Sequence, residues 1–364
     1  MKVKLREYVQ LVSERVNLEE ANGDTYISTD NMLPNRGGIK FGDSKLPKSK
    51  TVNSYRKGDV LVSNIRPYFK KIWFANRQGT RSGDVLCFRT KNTNLLEEYL
   101  YCTLQSNHFF DYVVSTSKGT KMPRGDKEAI LNYEFEVPPK EEQYKRCRPI
   151  ILIEKEISLN NKINDNLKLT LTTIFESQIN SFGFDEANLT DIATYKNGLA
   201  MQKYRPKPNE QSLPVLKIKE LNQGYTDTSS DRCSAKIDED VTVHTGDIIF
   251  SWSGTLLVKN WSGKTAGLNQ HLFKVTSKNY PDWFIYEWTK HHLRKFQSIA
   301  AGKATTMGHI KRSDLASSRV IIPDKNSLAK LDAIMKPLYD KRIEIIKENQ
   351  RLIEIKKILL QKYF

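Results

Sequence analysis

Basic, amide and hydroxyl side chains gather in short loop-like stretches of this chain. The first part carries Arg36 and Lys40, then Arg66, Lys70 and Lys71, then Arg77 and Arg81, then Lys118, Thr120, Lys121 and Arg124. The second part carries Lys203, Tyr204 and Arg205, then Lys259 and Lys264, then Asn269 and Gln270, then Lys303, Thr305, Thr306, His309 and Lys311. Lysine and hydroxyl side chains position phosphates. Arginine, asparagine and glutamine can also pair with base edges through two hydrogen bonds. A single basic loop residue is equally well a solvated surface charge, but these clusters recur at matching places in both halves. The formal net charge is +16, and such a cation excess favours a polyanion, because each neutralised phosphate releases counterions. Nucleic acid is the first candidate and an anionic membrane the second.

The membrane reading weakens because no apolar run approaches the roughly 20 residues of a spanning helix. The stretch MKVKLREYVQL lacks an apolar signal core. Cys87, Cys102, Cys147 and Cys233 form no CxxC pair, which points to reduced thiols in a cytoplasmic protein. Catalytic constellations are poor. Only VPPK at 137–140 approaches a methyltransferase Asn/Asp-Pro-Pro-aromatic motif, and Val137 and Lys140 have the wrong chemistry. Pro323, Asp324, Glu354 and Lys356 loosely fit a nuclease carboxylate–lysine spacing, but the last two fall far along a helix from Asp324. His291 and His292 lack acidic partners at ligand spacing.

The elements that hold the loops are duplicated. KGDVLVSNIRP (57–67) matches TGDIIFSWSGT (245–255), SGDVLCFRTKN (82–92) matches LNQHLFKVTSKN (268–279), and 118–140 matches 301–325. Gly58 and Gly246 lie 188 residues apart, while Pro138 and Pro323 lie 185 apart. Three motifs in one order signal internal repetition. Alternating apolar segments predict strands, with Gly58–Asp59 and Gly246–Asp247 as launching turns. Helices are expected at 94–113, started by Asn94, and at 280–298, started by Pro281–Asp282. The four tryptophans of the second part, Trp252 among them, read as core or interface anchors.

Each half ends in a heptad run. Ile150, Ile153, Ile157, Leu167, Leu171 and Ile174 mark one seam over 140–180, with Asn160 and Asn164 inside it. Leu331, Leu338, Ile345, Leu352 and Leu359 mark the other over 326–364. Such seams require a partner helix, and here the simplest partner is the other run. The asparagines fit either a register device or surface positions on a bent helix. Pro149 and Pro337 predict a kink or a delayed helix start. The expectation is an α+β chain: two similar globular domains separated by two long antiparallel helices, related by a pseudo-two-fold. Each helix is about 55–60 Å long at 1.5 Å per residue.

With these motifs in place, the chain resembles the DNA-specificity subunits of Type I restriction-modification systems. The resemblance rests on KGDVLVSNIRP, TGDIIFSWSGT, GLNQHLFKV, GKATTMGHIKRSDLASSRVIIP, VPPKEEQ and ILLQKYF. It implies target-recognition domains at 1–140 and 183–325, spacer helices at 141–182 and 326–364, and no catalytic centre. Partners implied are double-stranded DNA, two adenine-methyltransferase (modification) subunits and restriction/translocase subunits. S-adenosylmethionine, ATP and Mg²⁺ would belong to those partner subunits. Two other classes stay open: a targeting half of another restriction or defence enzyme, and a coiled-coil adaptor, which leaves the duplicated basic heads unexplained.

Overall fold

The computed structural model describes residues 2–42, 44–179, 184–302 and 308–364. The first half runs β1 (Lys2–Lys4), α1 (Leu5–Tyr8), β2 (Val9–Leu11), β3 (Arg15–Asn17), β4 (Thr51–Tyr55), β5 (Val60–Ser63), β6 (Ile72–Phe74), β7 (Gly79–Arg81), β8 (Val85–Thr90), α2 (Glu97–Gln105), α3 (Asn107–Ser115), α4 (Lys127–Leu131), β9 (Glu134–Glu136) and α5 (Lys140–Gln178). The second runs β10 (Phe184–Asn188), α6 (Leu189–Ile192), β11 (Thr194–Asn197), β12 (Ser212–Leu216), α7 (Ile218–Gln223), β13 (Arg232–Ser234), β14 (Thr242–Val243), β15 (Ile248–Ser251), β16 (Leu257–Asn260), β17 (Ala266–Leu268), β18 (Leu272–Thr276), α8 (Asp282–His291), α9 (Leu293–Ala301), α10 (Arg312–Ala316), β19 (Arg319–Pro323) and α11 (Lys325–Tyr363). Two compact units result, Met1–Glu156 with Ile353–Phe364, and Ile157–Leu352.

The expected α+β class and its duplication are visible in the sheets. The first unit has a sheet ordered β2-β8-β5-β6, and the second unit repeats it as β11-β18-β15-β16. The ribbon β1-β9 likewise reappears as β10-β19. The launching turns explain the repeat locally. Gly58 and Gly246 take φ of 93° and 103°, a region that glycine enters without steric cost. The carboxylate of the next residue closes each turn: Asp59 accepts from the Arg56 amide and Asp247 from the His244 amide, both at 2.8 Å. Each aspartate also meets a cation on the neighbouring strand, Arg89 at 2.7 Å in one unit and Lys274 at 2.9 Å in the other. Arg89 has its pKa raised by the hydrogen bond to Asp59 and then lowered in part by burial.

Two expectations need correction. The helices expected at 94–113 and 280–298 are each a pair, α2–α3 and α8–α9. The Ser106 hydroxyl accepts from the Phe109 amide and starts α3 afresh, so that Phe109 and Phe110 become fully buried. Asn94 does not start α2; its carbonyl instead receives the buried Gln143 amide of α5 at 2.7 Å. Pro281–Asp282 does open α8. Pro149 and Pro337 sit inside α5 and α11, so neither delays a helix start.

Both long helices have 39 residues, and they pair antiparallel within each unit. In the first, Ile150 and Leu360 share one core, and Lys356 reaches Glu154 at 2.5 Å. In the second, Asn160 donates to Asn349 and Glu348 at 3.0 and 3.2 Å, while Leu171 and Phe175 join Leu331, Met335 and Tyr339. Asn160 is therefore buried in the helix pair and bonded across it, as a register device requires. Ile150, Leu171, Leu331 and Ile345 are buried; Ile153, Ile157, Leu167, Ile174, Leu338, Leu352 and Leu359 are half-buried.

The seam is only part of the packing, because the helices also dock on the heads. Trp283 donates to Asp332 at 2.7 Å, and buried Arg342 donates to Asn260 at 2.7 Å while lying over the Tyr286 ring. From α5, the Thr172 hydroxyl donates to buried Glu287 at 3.1 Å. No described helix is long and apolar enough to cross a membrane.

Leu171→Ala empties a fully buried site and is expected to cost about 2–5 kcal/mol. Leu169→Ala, on the exposed face, should stay within about 0.5 kcal/mol. Urea unfolding checks both, and equal effects would reject the assigned face. Burial raises the Glu287 pKa, opposed by Lys290. A carboxyl whose native pKa exceeds its unfolded value of about 4.3 contributes stability below that value. It loses this contribution as pH rises through the native pKa. Glu287→Gln should therefore flatten the fall in stability above about pH 4; an unchanged stability–pH curve contradicts this.

Candidate nucleic-acid interface

In the first unit, backbone hydrogen bonds stitch three candidate loops into one surface. The Asn35 and Arg36 amides donate to the carbonyls of Phe69 and Lys70 at 2.8 and 2.9 Å. The Arg66 amide donates to Pro123 at 2.8 Å, and the Gly125 amide to Asn64 at 3.1 Å. The β5–β6 loop is thus clamped between residues 35–36 and residues 118–125.

The cations in this surface divide by what they touch. Arg36 donates to the Gln105 carbonyl at 2.5 Å and the Asn107 side chain at 2.7 Å, and burial lowers its pKa. Lys70 donates to the same Asn107 oxygen at 2.9 Å, and Lys71 to the Thr29 carbonyl at 2.6 Å. These three hold the loops in place. Lys118 pairs with Asp126 at 2.5 Å, and Arg124 with Asp84 at 3.3 Å; the hydrogen bond raises the Lys118 pKa and lowers that of Asp126. Arg77 lies over the Phe41 ring at 4.5 Å. Lys40, Arg66, Thr120 and Lys121 are exposed, and these three cations have no ion pair among the described residues. Arg81, read from sequence as a loop cation, is instead buried in β7 and donates to the Val12 and Val85 carbonyls.

The second unit repeats one side of this clamp, the side made in the first unit by residues 118–125. Ser253 bridges to His309 as Ile65 bridges to Arg124. The Ile310 amide donates to Trp252 as Gly125 does to Asn64, and the Gly254 amide to Gly308 as Arg66 does to Pro123. These equivalent positions stand 188 and 185 residues apart, as the sequence motifs do. The chemistry displayed is different. Trp252 stacks at 5.7 Å on Phe273, and its indole donates to Asn197 at 3.2 Å. The Ser253 hydroxyl meets His271 Nδ1 at 3.1 Å. Asn269 is buried and its side chain accepts from the His271 amide at 3.3 Å, so it shapes the turn; Gln270 beside it is half-buried. Lys259 donates to the Asn222 carbonyl at 2.7 Å, and burial lowers its pKa. Lys203, Tyr204, Arg205, Lys264 and Lys311 are exposed, and His309 is half-buried. Lys303, Thr305 and Thr306 lie outside the described residues.

Sequence reasoning missed Tyr68, Phe69 and the polar surroundings of Trp252. The aromatic–basic alternation of IRPYFKK was a usable signal for the first two. The nuclease-like spacing resolves into structural roles. Asp324 accepts from the Asn326 and Ser327 amides and opens α11, and Lys356 is held by Glu154.

A family model for the Type I restriction modification DNA specificity domain matches residues 11–169 and again 182–357. The Type I restriction enzyme MjaIX specificity subunit of Methanocaldococcus jannaschii is 23% identical over 350 residues, spanning 86% of this chain and 78% of that one. The Type I restriction enzyme HindI specificity subunit of Haemophilus influenzae is 23% identical over 172 residues, or 46% of this chain and 38% of that one. The crystal structure of a Type I restriction-modification system S subunit from M. genitalium has the same fold, with a TM-score of 0.58 at 14% identity over 100% of this chain and 96% of that one. Two copies of the family's domain on one duplicated scaffold place the chain in the family of Type I restriction-modification DNA specificity subunits, the non-catalytic subunits that recognise the DNA target in those complexes.

Proposed function

We propose that the chain reads a two-part DNA sequence, one part per head, with a fixed gap between them. The heads are taken as 1–140 and 183–325, and the helical parts as 141–182 and 326–364. The observation that carries this reading is the repeated loop clamp. Two equivalent backbone hydrogen bonds, Arg66 to Pro123 with Gly254 to Gly308 and Gly125 to Asn64 with Ile310 to Trp252, recur in both heads, while the side chains displayed there differ. Conserving the scaffold and changing the display is what two independent readers of different base sequences need. Exposed Arg66, Lys121 and Lys40 in the first head, and Lys203, Arg205 and Lys311 in the second, are the assigned phosphate and base contacts. Arg36, Lys70, Lys71, Lys259 and Asn269 support them from within.

The helices are assigned to docking two modification (adenine-methyltransferase) subunits, with restriction subunits joining that core. Support comes from apolar side chains left exposed along them: Leu152, Leu159, Ile163 and Leu169 on α5, and Ile334, Ile353, Ile355 and Ile358 on α11. Exposed apolar surface of this kind marks interfaces. S-adenosylmethionine, ATP and Mg²⁺ then act in the partner subunits.

Methylome sequencing of cells with and without the gene is expected to reveal adenine methylation in a split motif, and exchanging residues 183–325 should change one half only. A contiguous motif, no change, or a change in both halves rejects the reading. Lys121→Gln should lower the salt dependence of binding by about 0.9 in log–log slope for one lost phosphate contact. Lys118→Gln should lower it less, because Lys118 already pairs with Asp126. Equal slopes for all three proteins, measured by titration at several salt concentrations, remove Lys121 from the contact set.

A further inference from the structure

The turn from Arg66 to Lys70 is strained at both ends. Arg66 and Lys70 each take φ of 50°, a left-handed conformation that is costly for a residue with a Cβ. Pro67 stiffens the single helical turn between them, Pro67–Phe69. The matching residue in the second head is Gly254, with φ of 63°, and the equivalence follows from the shared hydrogen bonds of Arg66 to Pro123 and Gly254 to Gly308. Glycine adopts this geometry freely. The turn therefore has no need of an arginine, and the first head keeps one whose side chain is exposed.

That strained turn displays aromatic surface. Tyr68 is 47% exposed and Phe69 is 38% exposed, their rings 4.7 Å apart, with Met122 also exposed on the adjoining loop. The Lys71 ammonium lies 5.8 Å from the Phe69 ring, and Arg66 is exposed on the same turn. At the corresponding positions of the second head stand Leu256, which is buried, and Leu257, half-buried. An exposed aromatic pair flanked by cations suits a partner that is anionic and presents flat π faces, which is nucleic acid. Apolar wedges of this kind part base steps in a duplex.

We propose that Arg66, Tyr68 and Phe69 form a rigid prong that stacks on, and partly opens, a base step in the first head's half of the DNA site. The matching turn of the second head, with Leu256 and Leu257 in place of the aromatic pair, has no equivalent prong among its described residues. The proposal rests on the DNA-reading function above. The test selects sites for the full chain from a pool of random-sequence duplexes. Wild-type protein should enrich a two-part motif. Tyr68→Ala with Phe69→Ala should lose preference in one half and weaken binding by about tenfold per stacked ring, with an unchanged salt slope. Tyr68→Phe with Phe69→Tyr, which keeps both ring faces, should retain binding. 2-Aminopurine placed in that half should brighten on binding wild type and not on binding the alanine variant. Wild-type enrichment with unchanged binding by a folded alanine variant overturns the prong alone. So does loss of binding by the ring-exchanged variant. No enrichment by wild type overturns the DNA-reading function, and the prong with it.

Discussion

The loops proposed to read DNA depend on a backbone clamp. In each head the loop after the second strand of the main sheet is hydrogen-bonded to the segment before the last short helix: Arg66 to Pro123 and Gly125 to Asn64 in one, Gly254 to Gly308 and Ile310 to Trp252 in the other. Backbone donors and acceptors do not depend on side-chain identity, whereas an unpaired buried one is expensive. The clamp can therefore persist while the displayed residues change. This is the physical condition for a module that keeps its fold and alters its target.

The same logic separates supporting cations from displayed ones. Arg36, Lys70 and Lys71 spend their donors on carbonyl and amide oxygens beneath the loops, and Arg81 is wholly internal. Basic residues close in sequence thus have opposite fates. Support of this kind makes a site more selective, because a loop held before binding loses less entropy on contact.

The helix pair shows a comparable division. Its apolar positions bury area without specifying a neighbour, while Asn160 at Asn349 fixes which residues meet across the pair, and Arg342 at Asn260 fixes where α11 meets β16. Docking of α11 through Trp283–Asp332 and Arg342–Tyr286 ties the second head's aromatic core to the helix. The seam is continuous with that core.

Much of this was legible without coordinates. The two-fold repetition, the strand-launching Gly–Asp pairs and both long helices follow from local rules of periodicity, turn chemistry and spacing. Those rules act over a few residues and survive in any context. The break of each short helical run at Ser106 and His292 was hidden, because a polar residue inside an amphipathic stretch has two outcomes, and the burial of Phe109 and Phe110 selects between them. Which cations face solvent was equally hidden. Arg81 and Arg66 look alike in sequence, yet one is enclosed and the other held outward on a left-handed turn. Exposure is decided by residues far along the chain, Gln105, Pro123 and Val12 here, and only the folded packing brings those to their partners.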